Sequence, residues 1–119
     1  MKILGIGVDI VENSRIGKLL KNKIFIKRIF SYSEILIANK IKDKKSYYSK
    51  RFAAKEAFVK SIGTGFRDDF NFKDLSIVND KFGKPSFIIN EKIKKIVKKQ
   101  FKTTSFNFFL SISDEKKYS

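Results

Sequence analysis

The segment RFAAKEAFVKSI, residues 51–62, constrains the fold more than any other part of the chain. It consists of good helix formers without an internal glycine or proline, and Gly63 follows where a helix stop is expected. Apolar residues occupy much of the circumference of this predicted helix, which predicts burial on most sides. Other elements must then cover it, and a chain of 119 residues has room for one such core. We therefore expect residues 1–119 to form a single domain.

Residues 3–11 alternate in character and predict a strand. Leucine, isoleucine and valine alternate there with Gly5, Gly7 and Asp9. Glycines in a strand often mark close approach by another backbone or by a ligand. Asp9 is therefore expected at the end of a surface with room beside it. A strand-end aspartate that simply turns into a loop is the alternative.

The second half of the chain contains three more predicted strands. Residues 75–79 and 86–89 have strand character and are joined by the turn DKFGKP at 80–85, so they predict a hairpin. Residues 106–112 alternate in the same way as residues 3–11 and predict the last strand.

Helices are predicted between these strands. Residues 15–30 favour one or two short amphipathic helices with a cationic face. Ser31 and Glu34 have the spacing of a capping box, so a further helix is expected to begin near Tyr32, the residue after Ser31. Residues 42–49 are interpreted as a basic, polar connection, and residues 91–101 as a helix that Asn90 can cap, with lysines outward. This order of elements predicts an α+β fold with an antiparallel sheet packed against helices.

Composition excludes several kinds of chemistry. The chain has no cysteine and no histidine, which excludes disulfides, thiolate zinc sites and Ser–His catalysis. The formal net charge of +15 suits nucleic acid, an anionic membrane, nucleotide phosphates or an acidic protein. The amino-terminal apolar stretch is too short for a signal sequence or a membrane span, so a cytoplasmic protein is expected.

Asp9 and Glu56 are a plausible pair of metal ligands. A carboxylate on a glycine-lined strand and one on a buried helix could together hold Mg²⁺, with water and phosphate oxygens completing its coordination. Lys60 would add a positive charge, and Gly63 and Gly65 would let backbone N–H groups approach the phosphates. The residues alone leave another interpretation open, in which Glu56 and Lys60 form an ordinary i,i+4 salt bridge.

Three segments together resemble the signature sequences of the holo-acyl-carrier-protein synthases, a family of 4′-phosphopantetheinyl transferases. They are GIGVDIVENSRI at residues 5–16, RFAAKEAFVKSIGTG at 51–65 and NDKFGKP at 79–85. Their order and separation also match the family, and the resemblance covers nearly the whole chain. It implies Mg²⁺-dependent transfer of phosphopantetheine from coenzyme A to a serine of apo acyl carrier protein, a step in fatty acid biosynthesis.

The resemblance also implies roles for individual residues. Asp9 and Glu56 would bind magnesium, and Lys60 would neutralise the pyrophosphate. The coenzyme A pocket would be lined by Arg51, Lys60, Gly63, Thr64, Gly65, Gly83, Lys84, Pro85 and Ser111. Arg15, Lys21 and Arg28 would face the acidic carrier protein, whose complementary charge speeds encounter. In the family the active site lies between the subunits of a homotrimer, so Arg51 and the Gly83-Lys84-Pro85 turn would reach the nucleotide of a neighbouring chain. Catalysis is assigned to Glu56 and Lys60, with proton removal left to Glu56 or to a metal-bound water.

Two departures and two rival interpretations accompany the resemblance. The family usually has an H-V-S-I-S-H-like segment where this chain has FLSISD at 109–114, so both histidines are replaced. Relatives typically continue past the position of Ser119 into one more apolar strand, whose absence would expose a sheet edge. The rivals are an inactive relative that only binds carrier protein and a basic nucleic-acid-binding module that stacks bases on Phe106 to Phe109.

Overall fold

The computed structural model describes residues 2–63 and 70–119. In these residues five α-helices, one short 3₁₀ turn and one two-stranded antiparallel sheet follow one another along the chain. They are α1 (Asn13–Leu19), α2 (Lys23–Ile29), α3 (Tyr32–Ala38), α4 (Lys44–Ile62), the 3₁₀ turn (Phe72–Asp74), β1 (Leu75–Asn79), β2 (Pro85–Ile89) and α5 (Glu91–Phe101). The predicted α+β class is confirmed. No helix in these two ranges combines the length and the apolar composition needed to cross a membrane.

The short helices begin where side chains cap them. The Asn22 side chain accepts hydrogen bonds from the backbone N–H groups of the first turn of α2. The predicted capping box is confirmed at α3, where Ser31 accepts from the Glu34 N–H and Glu34 accepts from the Ser31 N–H. The cationic stretch at 15–30 was expected to form one or two short helices, and the structure has two, α1 and α2.

Helix α4 begins earlier than the sequence predicted. The connection expected at 42–49 is wrong, because residues 44–62 form one continuous helix capped by Asp43, which accepts from the Ser46 N–H. Tyr47 and Tyr48 are buried in this first half, and their packing stabilises helix in a run whose local sequence is polar. The buried character predicted for 51–62 is confirmed along most of its length.

The predicted hairpin is confirmed. Strands β1 and β2 pair antiparallel, with Leu75 opposite Ile89 and Asn79 opposite Pro85. The turn between them is closed by the Asp80 carboxylate, which accepts from two backbone N–H groups. Gly83 adopts a φ of 84°, a conformation that favours glycine.

The strands expected at 3–11 and 106–112 are wrong as sheet members. Neither segment belongs to a strand in the described chain, and the nearest pairing is an isolated bridge between Glu12 and Tyr118. A strand requires a backbone partner along its length, and within the described chain neither segment has one. Side chains still alternate between two faces in both segments. In the segment 106–112, Phe106 and Phe108 pack inward and Phe109 is exposed. In the segment 3–11, the apolar residues Ile6, Val8 and Ile10 are exposed.

Helix α4 lies between two hydrophobic clusters. Its first half packs with α1, α2 and α3 around Ile16, Phe30 and Tyr48. Its second half packs with the hairpin, α5 and residues 106–108 around Phe58 and Ile93. The two clusters hold both halves of the helix in place, so the backbone of its remaining edge has a fixed position.

Candidate active site

Asp9 is held close to α4 because two glycines allow the backbone before it to approach the helix. A Cβ atom at Gly7 would lie 1.9 Å from the Ala57 carbonyl oxygen, and one at Gly5 would lie 2.1 Å from the Ser61 carbonyl oxygen. Only a residue without a side chain fits at such contacts. The close approach that the glycines predicted is therefore confirmed, with α4 as the neighbouring backbone.

Lys60 forms an ion pair with Asp9 across this contact. The Lys60 Nζ lies 2.9 Å from Asp9 Oδ1 and donates a second hydrogen bond to the Val8 carbonyl oxygen at 3.2 Å. The hydrogen bond to Asp9 raises the pKa of Lys60 above its usual value. The alternative of an i,i+4 salt bridge between Glu56 and Lys60 is wrong, since the Lys60 ammonium is bonded to the amino-terminal segment.

Glu56 lies beside the same pair. Partial burial is the main cause that raises the pKa of Glu56, and the neighbouring Asp9 carboxylate raises it further. Lys60 and Arg15 act in the opposite direction on the same pKa. Asp9, Lys60 and Arg15 are thus all close enough to Glu56 to influence its pKa, although they come from the amino-terminal segment, α4 and α1.

This arrangement fits a hard divalent cation. Mg²⁺ typically takes one or two protein carboxylates and leaves its other positions to water and phosphate. Asp9 and Glu56 supply two carboxylates, and their mutual repulsion would be relieved by a cation between them. Residues 2–63 and 70–119 contain no group of three or more acidic side chains that could form a fuller cage. Asp9 and Glu56 therefore fit an open magnesium site that shares its coordination with substrate.

A groove of about 150 Å³ extends from Asp9 between the amino-terminal segment and residues 109–113. Small residues of α4, including Ala53 and Ala57, form part of its lining, and Ser111 lies on its far side. The structure therefore brings the predicted residue Ser111 to the groove that contains Asp9. Lys50 also lines this groove. The sequence did not indicate it, because residues 42–49 were interpreted as a connection, whereas Lys50 lies inside α4.

Arg51 and the 83–85 turn form a second group of predicted residues. Arg51 is buried, its guanidinium stacks on the Tyr47 ring at 3.7 Å, and its Nη2 donates to Asn79 Oδ1 at 3.0 Å. Asn79 Nδ2 donates in turn to the Gly83 carbonyl oxygen at 3.2 Å. In the described residues no hydrogen bond or ion pair joins this group to Asp9 or Glu56. Asn79 connects Arg51 to Gly83, and the sequence interpretation did not single it out although the NDKFGKP signature contains it.

The glycine turn after α4 is described only at its start. Gly63 ends the helix with a φ of 80°, and its N–H donates to the Val59 carbonyl oxygen. This supports the predicted helix stop. Gly63 lies about one helical turn beyond Lys60. The predicted pocket residues Thr64 and Gly65 lie outside the described residues.

The carrier-facing residues and the altered carboxy-terminal segment also have definite positions. Arg15, Lys21 and Arg28 are all exposed on or beside α1 and α2. Asp114, which replaces a histidine of the family pattern, accepts a hydrogen bond from the Ser46 hydroxyl at the start of α4. This contact holds Asp114 at the opposite end of α4 from Lys60.

Replacing Gly7 by alanine tests the close approach. We expect Gly7→Ala to lower the free energy of unfolding by about 1–3 kcal/mol, because the new methyl group meets backbone that cannot move aside. The measurement is urea denaturation. Gly17→Ala is the matched control, since its methyl group meets only the flexible Lys45 side chain at 3.0 Å and alanine favours helix. Equal losses at both positions would contradict the close contact with Ala57.

Glu56 also predicts a pH dependence of stability in metal-free buffer. Because its pKa is raised in the folded state, the folded protein binds more protons than the unfolded chain, and stability falls as pH rises through that pKa. We therefore expect Glu56→Gln to melt at a higher temperature than the parent at pH 7. The difference in melting temperature should shrink below the unfolded pKa of about 4.3. A variant that melts below the parent at pH 7 would contradict this expectation.

Comparisons with known proteins show the family of the chain. The family model of the 4′-phosphopantetheinyl transferase superfamily matches residues 5–113. A holo-[acyl-carrier-protein] synthase of Pelagibacter ubique (strain HTCC1062) is 76% identical over 119 residues, covering 100% of this chain and 93% of that protein.

Solved structures show the same relationship. The crystal structure of holo-[acyl-carrier-protein] synthase from Neisseria meningitidis superposes with a TM-score of 0.87 at 38% identity, covering 98% of this chain and 93% of the other. A holo-(acyl-carrier-protein) synthase from Bacillus anthracis in complex with CoA (3′,5′-ADP) gives a TM-score of 0.79 at 36% identity, covering 98% and 90%. The signature segments, the charged site that they form and these matches lead to one conclusion. The chain belongs to the holo-[acyl-carrier-protein] synthases of the 4′-phosphopantetheinyl transferase superfamily.

Proposed function

We propose that this protein transfers the 4′-phosphopantetheine group of coenzyme A to a serine hydroxyl of apo acyl carrier protein, releases adenosine 3′,5′-bisphosphate and requires Mg²⁺. The observation that carries the proposal is the meeting of Asp9, Glu56 and Lys60, which pairs two carboxylates with an ammonium group at one surface. The named relatives act on acyl carrier protein, and one solved relative holds coenzyme A or its 3′,5′-ADP part. The site is suited to the pyrophosphate of such a substrate.

Each residue of the site has a separate role in the proposed reaction. Asp9 and Glu56 would hold the metal, which would withdraw charge from the pyrophosphate. Lys60 is 56% exposed in its side chain and can turn from Asp9 to a phosphate oxygen. Proton removal from the incoming hydroxyl falls to Glu56 or to a metal-bound water. The nucleophile belongs to the carrier protein, so no serine of this chain needs activation.

Substrate binding extends the site on two sides. Arg51, Gly63 to Gly65, the 83–85 turn and Ser111 bind coenzyme A, with Arg51 and the turn reaching the nucleotide. Arg15, Lys21 and Arg28 receive the acidic carrier protein, which their exposure on α1 and α2 supports. Arg15 also lowers the pKa of Glu56, so the carrier-facing surface adjoins the metal ligands.

The proposal includes the setting of the enzyme. Residues 1–119 form one transferase domain that works as a cytoplasmic homotrimer in fatty acid biosynthesis. The exposed apolar side chains Ile6, Val8 and Ile10, each more than 70% accessible, support burial of this edge in an assembly. In the described residues neither the segment 3–11 nor the segment 106–112 belongs to a sheet, which also favours pairing in an assembly.

The rival nucleic-acid function has less support from the structure. Phe106 and Phe108 pack against the second hydrophobic cluster, and the Phe108 ring lies 4.9 Å from the Phe58 ring. Rings packed in this way are not free to stack on bases. Base stacking also gives no role to the Asp9, Glu56 and Lys60 site.

Release of adenosine 3′,5′-bisphosphate tests the proposal. The protein is incubated with coenzyme A, Mg²⁺ and apo acyl carrier protein, and the nucleotide is measured by chromatography. We expect release only when all components are present, in amounts equal to the holo carrier formed. Release without carrier protein would indicate hydrolysis, and no release in the complete mixture would contradict the proposed transfer and favour an inactive relative.

A further inference from the structure

Asn79 joins two parts of the protein through one side-chain amide. It is the last residue of β1 and lies opposite Pro85 in the hairpin. Its Oδ1 accepts from Arg51 Nη2 at 3.0 Å, and its Nδ2 donates to the Gly83 carbonyl oxygen at 3.2 Å. The amide therefore links helix α4 to the tip of the hairpin.

The orientation of Arg51 depends on this contact. The face of its guanidinium lies on the Tyr47 ring at 3.7 Å, and the Tyr47 hydroxyl is itself fixed by donating to the Glu34 carbonyl oxygen at 3.0 Å. The ring restrains the guanidinium plane but not its rotation within that plane. The Asn79 oxygen supplies the missing restraint at the Nη2 end.

Arg51 retains hydrogen-bonding capacity after these contacts. Its Nε is buried and has no acceptor among the described residues. A guanidinium has five N–H donors, and a buried donor without an acceptor is uncommon in proteins. Charge-assisted hydrogen bonds to phosphate are among the strongest that such a group makes. The Arg51 guanidinium is thus held in one orientation, but one of its N–H donors has no acceptor among the described residues.

The hairpin tip needs the same amide for its attachment to α4. Within the tip, Asp80 accepts from the N–H groups of Phe82 and Lys84, and the Gly83 N–H donates to the Asp80 carbonyl oxygen. These bonds shape the turn but do not fix it relative to α4. In the described part of the chain, the amide of Asn79 is the group that hydrogen-bonds both Arg51 and Gly83.

We infer that Asn79 is a positioning residue that holds the Arg51 guanidinium and the 83–85 turn together to receive the nucleotide phosphates of coenzyme A. The inference rests on the proposed function for the identity of this ligand. The amide suits the position because it accepts from arginine and donates to a carbonyl while carrying no charge. An aspartate would lose the donor and would place a negative charge beside the phosphates.

Binding of adenosine 3′,5′-bisphosphate tests the inference without any transfer step. We expect Asn79→Ala to raise the dissociation constant measured by calorimetry by about tenfold, the loss of roughly one charge-assisted contact. The melting temperature should fall by no more than about 10 °C, because Asn79 is itself exposed but its loss leaves buried Arg51 with one acceptor fewer. Asn71→Ala is the matched control, since that exposed side chain caps nothing at the 3₁₀ turn.

A double variant separates positioning from general stability. If Asn79 acts through Arg51, then Asn79→Ala should weaken binding less in an Arg51→Lys background than in the parent. In the transfer assay the same substitution should raise KM for coenzyme A and leave KM for carrier protein unchanged. An unchanged dissociation constant in Asn79→Ala, or full additivity with Arg51→Lys, would overturn the inference. Absence of transfer by the parent protein would instead contradict the proposed function.

Discussion

Asp9→Asn lowers kcat/KM for phosphopantetheine transfer by about a hundredfold or more. Loss of residues that merely support a metal ligand typically costs about 10–100-fold, and Asp9 is proposed as a ligand itself. The amide keeps the shape of the side chain, so the contacts of Gly5 and Gly7 with α4 remain. The measurement is the rate of holo carrier formation as a function of Mg²⁺ concentration, where half-maximal activity should require much more metal.

A control and a second variant keep this prediction specific. Glu91→Gln removes an exposed carboxylate that pairs with Lys94 on α5, and its rate should stay within about twofold of the parent. Lys60→Ala breaks the ion pair with Asp9 but leaves both carboxylates in place. If Lys60→Ala shifted the Mg²⁺ requirement as far as Asp9→Asn does, Asp9 would matter only through its ion pair.

Lys55→Met lowers the free energy of unfolding by about 3–5 kcal/mol, the typical cost of removing one partner from a buried ion pair. Lys55 is fully buried, and its Nζ donates to Glu34 Oε1 at 2.6 Å and to the carbonyl oxygens of Ile29 and Phe72. Glu34 Oε2 also accepts from the Ile77 N–H at 3.0 Å. One pair thus connects α2, α3, α4 and β1, and its loss leaves a buried carboxylate without its cation.

The contribution of that carboxylate can be separated. Urea denaturation of Lys55→Met/Glu34→Gln should give a smaller loss than Lys55→Met alone, because the double variant has no uncompensated charge. Lys95→Met, an exposed lysine on α5, should change the free energy of unfolding by less than about 0.5 kcal/mol. A Lys55→Met protein as stable as Lys95→Met would show that the pair does not hold these elements together.

Local signals in the sequence predicted the elements that depend on neighbouring residues. The capping box at Ser31 and Glu34, the Asn90 cap of α5 and the closed turn at 80–85 are formed within a few residues, and all were predicted. The start of α4 was missed because its first turns are basic and polar. The burial of Tyr47 and Tyr48 against α1 to α3 stabilises helix there, and that contact is tertiary.

Contacts between distant residues explain the other differences. Lys60 had a local partner available in Glu56, but it bonds Asp9, which is 51 residues away. The alternation at 106–112 indicated which side chains face inward, whereas at 3–11 the apolar side chains Ile6, Val8 and Ile10 are exposed. Backbone partners along a strand cannot be deduced from alternation alone. Asn79 and Arg51 are 28 residues apart and meet only because the hairpin docks on α4. The sequence therefore predicted individual residues of the site, whereas the contacts between them could be found only from the folded structure.

The intact mass of the carrier protein shows whether the phosphopantetheinyl group is transferred. Apo acyl carrier protein is incubated with coenzyme A and a trace amount of this protein, with Mg²⁺ or with a chelator, and weighed by mass spectrometry. The account predicts that the carrier gains the mass of one phosphopantetheinyl group in Mg²⁺ and that chelation or Asp9→Asn prevents the gain. A carrier mass that stays unchanged in Mg²⁺, or that increases equally with the chelator, would contradict it.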